Sequence, residues 1–141
     1  MTDHDPLSDL RRSEVHADGM AVRREVLSDA HVDRAEAGTD ELTAEFQSFV
    51  TRYAWGEVWT RPGLDRRMRS AITITALVAN SHWDELALHL RAARRNGLSV
   101  DEIQEVLLQA AIYCGVPAAH HAFSIAQDVL REPDHPQEGS S

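Results

Sequence analysis

His82, Glu85 and His89 stand at i, i+3 and i+7. On a helix turning ~100° per residue, these side chains leave from one face. Three kinds of chemistry fit that face. A histidine that titrates near neutral pH and is oriented by a carboxylate can carry a proton to carbon or oxygen. Histidine and glutamate at helical spacing can also share a divalent metal, although the segment is not His-Glu-x-x-His and has no evident fourth ligand. His120 and His121 would add nitrogen only if the fold brought them near. The third reading is plain: polar residues capping or covering a surface helix.

Trp55 and Trp59 lie four apart, with Arg61 two residues further on and Trp83 directly after His82. Such tryptophans serve as core or interface aromatics, or as the wall of a pocket for a flat unsaturated ligand. In the pocket case Arg61 would be the contact for its anion. All 14 basic residues are arginine, and they cluster as Arg23-Arg24, as Arg61, Arg66, Arg67 and Arg69, and as Arg91, Arg94 and Arg95. A guanidinium fork matches a carboxylate with two hydrogen bonds. The plain alternative, that these arginines are solvated surface charges, applies to all of them except Arg61 and Arg69. Cys114 is the single cysteine, so neither an internal disulfide nor a dithiol redox pair can form. It reads as a buried structural thiol.

Helices must position these groups. The sequence predicts five or six. The first is short, over 19–28, with Met20, Val22, Val26 and Leu27 apolar. A second spans about 39–55, where Leu42, Phe46, Phe49, Val50 and Tyr53 form an amphipathic stripe. Arg61-Pro62-Gly63 is a break. The third helix runs over 64–80. Its β-branched middle, 72–79, also fits a strand, but its length favours a helix buried nearly all round. The fourth covers 83–96 with Gly97 as its C-terminal cap. Ser99-x-x-Glu102 is a capping box for the fifth, whose core face is Ile103, Val106, Leu107, Ala110 and Ala111. Pro117 opens a sixth, to about Arg131. No strand or hairpin signal stands out, so the fold class is all-α, an antiparallel helical bundle.

The chain has 141 residues, 43% of them hydrophobic, which suits one domain with a real core. Residues 1–18 and 133–141 are polar and aperiodic, and read as a disordered leader and tail around a single domain over 19–132. A net charge of −9 without a basic stripe argues against nucleic acid or an anionic membrane as partner. No signal peptide or long apolar run is visible, so the expected compartment is the reducing cytoplasm.

These residues together resemble the carboxymuconolactone decarboxylase family, part of the wider alkylhydroperoxidase-like (AhpD-like) superfamily. Segments 22–35, 53–77 and 84–123 carry the resemblance, which runs from about Gly19 to Leu130. Its specific parts are Trp55-Gly56, Trp59 and Arg61-Pro62-Gly63-Leu64-Asp65-Arg66-Arg67. They continue as Glu85-Leu86, His89, Ala92 and Asn96-Gly97, then Tyr113 and Gly115-Val116-Pro117-Ala118-Ala119. The superfamily's Cys-x-x-Cys-x-x-x-His register falls on His82, Glu85 and His89. Both cysteines are absent, so peroxide reduction is not implied. The decarboxylase branch has Glu and His at the positions of Glu85 and His89.

The resemblance implies an all-helical homo-oligomer, commonly a hexamer, with no metal or organic cofactor. It implies loss of CO2 from 4-carboxymuconolactone, giving 3-oxoadipate enol-lactone in protocatechuate catabolism. His89 then acts as proton donor or oxyanion partner, and Glu85 orients it or sets its charge. Arg69 and Arg61 clamp carboxylates, Trp55 and Trp59 form a dry wall, and His82 stands behind them. A rival role for Arg69 is structural, as a partner of Glu85. The alternatives are a non-catalytic oligomeric protein of the same fold that binds a small carboxylate, and an enzyme acting on a related lactone.

Overall fold

A computed structural model describes residues 5–133. They form seven α-helices and one π-helical turn, and no strand occurs among them. None of these helices is long and apolar enough to cross a membrane. The class is all-α, as expected. The sequence reading treats 19–132 as one domain. The chain groups into two compact units that divide between Arg69 and Ser70.

The first unit opens on α1, Pro6–Leu27. The expected disordered leader is therefore wrong over 6–18. Its start has the chemistry of a helix N-terminus: the Asp5 carboxylate accepts from the Leu7 amide at 3.1 Å, and Pro6 occupies the first turn. The leader has no apolar period because the first turns of α1 face water. Only Gly19, Arg23, Val26 and Leu27 are buried. The remaining leader residues, 1–4, and the tail residues 134–141 lie outside the described residues.

Ser28 ends α1 and caps α2, Asp29–Ala37, with its hydroxyl accepting from the His31 amide at 3.1 Å. Ser28 sits at φ 96°, a conformation sequence pattern does not reveal in a non-glycine residue. This second helix was not foreseen. The helix expected over 39–55 starts late. The Asp40 carboxylate accepts from the amides of Leu42 (3.0 Å) and Thr43 (3.1 Å), closing a turn that competes with helix. Helix α3 covers only Ala44–Val50, and the π-helical turn Thr51–Gly56 continues it. The amphipathic stripe is real but not internal: Leu42 is 88% exposed, and Phe46, Phe49 and Tyr53 are exposed as well.

Gly19 and Gly56 set how closely α1 meets the π-helical turn. A Cβ on Gly19 would collide with the Thr51 carbonyl and come within 2.8 Å of the Gly56 nitrogen. A Cβ on Gly56 would come within 2.6 Å of the Val15 carbonyl.

Helix α4, Arg66–Ala79, crosses the division between the units. Asp65 caps it by accepting from the Met68 amide at 2.8 Å. The segment that also fitted a strand is helix, buried on one face at Ser70, Ile74 and Val78. Ile72 is exposed, so the helix is not buried all round. In the second unit α5 (Trp83–Arg95), α6 (Val100–Cys114) and α7 (Val116–Leu130) share a core of Leu86, Leu90, Ile103, Leu107, Ala122 and Ala126. Helix α5 ends as expected at Gly97, φ 98°, where the Leu98 amide reaches the Ala93 carbonyl at 3.0 Å. The Ser99–Glu102 capping box forms with both bonds at 3.0 Å. Cys114, the last residue of α6, is half-buried against the core.

The Gly19→Ala variant should lose about 1–3 kcal/mol of stability, because the clash is with backbone that cannot swing away. Gly38→Ala should be nearly neutral, since its Cβ would meet nothing nearer than 3.6 Å. Urea unfolding of the two variants checks this. Equal midpoints would contradict the close approach.

Candidate active site

Helix α5 holds the first group of candidates. Measured from His82 at ~100° per residue, Glu85 and His89 fall within a sector of about 60°. The buried residues Leu86, Leu90 and Ala93 fill the adjoining sector. The three polar residues therefore flank the apolar stripe of α5. His89, in mid-helix, is half-buried and has a buried Nδ1. Glu85 is exposed in the first turn, where the unpaired amides of a helix N-terminus favour a carboxylate. His82 is the N-cap residue: its amide donates to the Leu77 carbonyl and its carbonyl accepts from the Leu86 amide, both at 2.9 Å. Its imidazole makes no capping bond and is exposed.

The two histidines of α7 part ways. His121 stacks on Trp83, with ring centroids 4.2 Å apart. His120 lines an open groove of about 540 Å³ beside Ile103, Leu107 and Phe123. Among the described residues, no three His, Cys, Asp or Glu side chains converge as a ligand set. The metal reading of His82, Glu85 and His89 thus has no donor geometry behind it.

The first unit holds the second group. Trp55 is buried in the π-helical turn and stacks on half-buried Trp59, centroids 5.1 Å apart and planes at 29°. The Trp59 amide reaches back five residues to the Ala54 carbonyl at 3.0 Å, so the wide turn itself sets the stack. Arg61 is exposed on the break before α4. Arg69, one turn into α4, donates from Nη2 to the Arg61 carbonyl at 3.1 Å. The Arg69 side chain thus contacts the main chain of Arg61. Arg66 pairs with Glu25 at 2.5 Å.

Sequence reading missed Arg23, which is only 6% exposed. Its Nη1 donates to the Thr51 hydroxyl (3.4 Å) and its Nη2 to the Gln47 side-chain carbonyl (3.3 Å). Burial lowers its pKa from the ordinary arginine value; Glu36 opposes that shift and Arg24 adds to it. A signal was available: Arg23 lies four residues after Gly19 and three before Val26, on the buried face of α1. Its neighbour Arg24 behaves as expected of a surface charge, meeting Asp29 (3.1 Å) and Asp33 (2.8 Å) of α2.

The sequence profile of the Carboxymuconolactone decarboxylase family matches residues 44–128, from the start of α3 into α7. The chain belongs to that family. Among its relatives, the 4-carboxymuconolactone decarboxylase of Acinetobacter baylyi is 44% identical over 114 residues, 81% of this chain and 85% of that protein. The nitrosuccinic acid decarboxylase npaB of Metarhizium robertsii is 38% identical over 129 residues, 89% of this chain and 90% of that protein. A 4-carboxymuconolactone decarboxylase of Pseudomonas putida is 51% identical over 39 residues, 28% of this chain and 81% of that sequence. The matched stretch thus spans the π-helical turn, the break, α4 and α5, which hold Trp55, Trp59, Arg61, Arg69, His82, Glu85 and His89.

Proposed function

We propose that this chain is a cytoplasmic carboxy-lyase that converts 4-carboxymuconolactone to 3-oxoadipate enol-lactone and CO2 without a cofactor. The observation that carries this reading is its 44% identity, over most of both chains, to a protein named for that activity. The substrate supplies its own electron sink. When the C–CO2 bond breaks, the electron pair moves through the C=C bond into the lactone carbonyl and leaves a dienolate. A proton then joins the α carbon.

The protein has to hold carboxylates, favour the developing oxyanion and deliver that proton. His89 suits the proton donor, because its half-buried ring borders both core and solvent on α5. Glu85, one turn before it on the same face, sets its orientation and charge. Arg61 and Arg69 serve as the carboxylate clamps, with Arg69 also fixing the Arg61 main chain. Trp55 and Trp59 offer a flat apolar wall against which the leaving carboxylate loses water. His82, exposed at the cap, supports the site from outside the reacting groups.

A second reading comes from the fungal relative, which covers as much of the chain. Nitrosuccinic acid also carries its electron sink within the substrate, as a nitro group. The same residues would then hold a smaller, open-chain dicarboxylate.

The enzyme is proposed to work as a homo-oligomer, a hexamer. Supporting this are the large apolar side chains that the single chain leaves in water, among them Phe46, Phe49 and Tyr53 on one unit and Ile112, Tyr113 and Val116 on the other. Sedimentation velocity should show one species several times the mass of the chain; a monomer at micromolar concentration would contradict this.

The functional test is ultraviolet loss of carboxymuconolactone, with nitrosuccinic acid assayed in parallel. Wild-type protein should turn over the lactone. His89→Ala should lower kcat by about 10²–10⁴-fold, the usual contribution of a positioned proton donor. Glu85→Gln should lower it less. Turnover of nitrosuccinic acid alone would favour the second reading, and an unchanged kcat in His89→Ala would remove His89 from the mechanism.

A further inference from the structure

Burying Arg23 is costly. A guanidinium taken out of water loses strong hydration. Here it receives two long bonds in return, at 3.4 and 3.3 Å, both to neutral acceptors. Its Nε is buried with no acceptor among the described residues. An aliphatic side chain of similar volume would fill the same space at less cost, so stability does not account for the arginine. Buried polar groups of this kind are best attested as devices that fix one register over another.

The bonds fall where a register is chosen. Gln47 belongs to α3 and Thr51 is the first residue of the π-helical turn. The Thr51 hydroxyl also donates to the Gln47 main-chain carbonyl at 2.8 Å. Arg23 therefore grips both sides of the point where α-helix widens to π-helix. Widening by one residue turns every later side chain by roughly 100° relative to an unbroken α-helix. Trp55 is inside that widened turn and Trp59 just after it. Gly19, one turn before Arg23, lets α1 approach closely enough for the guanidinium to reach.

We propose that Arg23 is a positioning residue: by bonding Gln47 and Thr51 across the α-to-π junction, it holds the register that stacks Trp55 on Trp59. This rests on the functional reading above only in giving that stack a role as the substrate wall. Arg23 lies before residue 44, outside the stretch matched by the family profile.

The experiment compares Arg23→Met and Arg23→Lys with wild type in circular dichroism and in kinetics. Two stacked indoles give an exciton couplet, and Trp59→Phe, which removes one ring, defines its absence. Both Arg23 variants should keep the helical signal while the couplet falls to the Trp59→Phe level. Lysine should not rescue it, because one ammonium does not span two acceptors as the guanidinium fork does. With the lactone, kcat should fall by about 10–100-fold with little change in KM, the mark of a misplaced wall. A variant that melts earlier but keeps its couplet and kcat would overturn the proposal, leaving Arg23 a stability residue. If Arg23→Met does not fold, Gln47→Met removes one acceptor from the same junction and is read the same way; an intact couplet again overturns it. Loss of the couplet in a protein that turns over no lactone would leave the positioning role standing and remove the substrate assignment.

Discussion

Two backbones meeting without a side chain between them is the constraint on which the first unit depends. At Gly19 and Gly56 α1 lies directly against the π-helical turn, so the turn's carbonyls and amides face another helix instead of water. A π-helical turn is seldom stable alone, because its wide bore packs poorly. Outside support makes it persist. The glycines provide the closeness, and Arg23, one turn along, provides bonds to Gln47 and Thr51. The result is a pair of stacked tryptophans close in sequence to an arginine-bearing break. Arg69 keeps that break in place through the Arg61 carbonyl.

The second unit solves a different problem on α5. Its apolar stripe is occupied by Leu86, Leu90 and Ala93, and the polar residues line one edge of that stripe. The edge position grades exposure. His89, in mid-helix, is half-buried, whereas His82, at the cap, is in water although its angular position is no further from the core. A proton carrier needs this middle ground, with enough contact to fix the ring and enough solvent to recover a proton. Geometry thus separates two histidines that spacing alone made equivalent.

What the sequence made legible was local chemistry with a short reach. The Ser99–Glu102 box, Gly97 and the Pro117 start are each decided within a few residues, and each stands where expected. The Asp5-Pro6 start of α1 was equally local, but a helix whose first turns are all in water has no apolar period to draw attention to it. The Ser28 kink depends on a positive φ in a residue that does not advertise one. The π-helical turn and the burial of Arg23 depend on contacts about 30 residues apart in sequence (Arg23 with Thr51), beyond any periodicity. Leu42, Phe46, Phe49 and Tyr53 show the converse: an apolar stripe reports that a surface will be covered, not by which part of which chain.

The proposed reaction makes one chemical claim, that the substrate holds the electrons while the protein places the proton. The most direct measurement is the reaction of wild-type enzyme with 4-carboxymuconolactone in deuterium oxide, with the enol-lactone examined by nuclear magnetic resonance before it exchanges. The account predicts CO2 release and a single deuterium at the α carbon, on one face only. Deuterium on both faces equally would mean that the dienolate leaves before any residue protonates it, and would contradict the role given to α5.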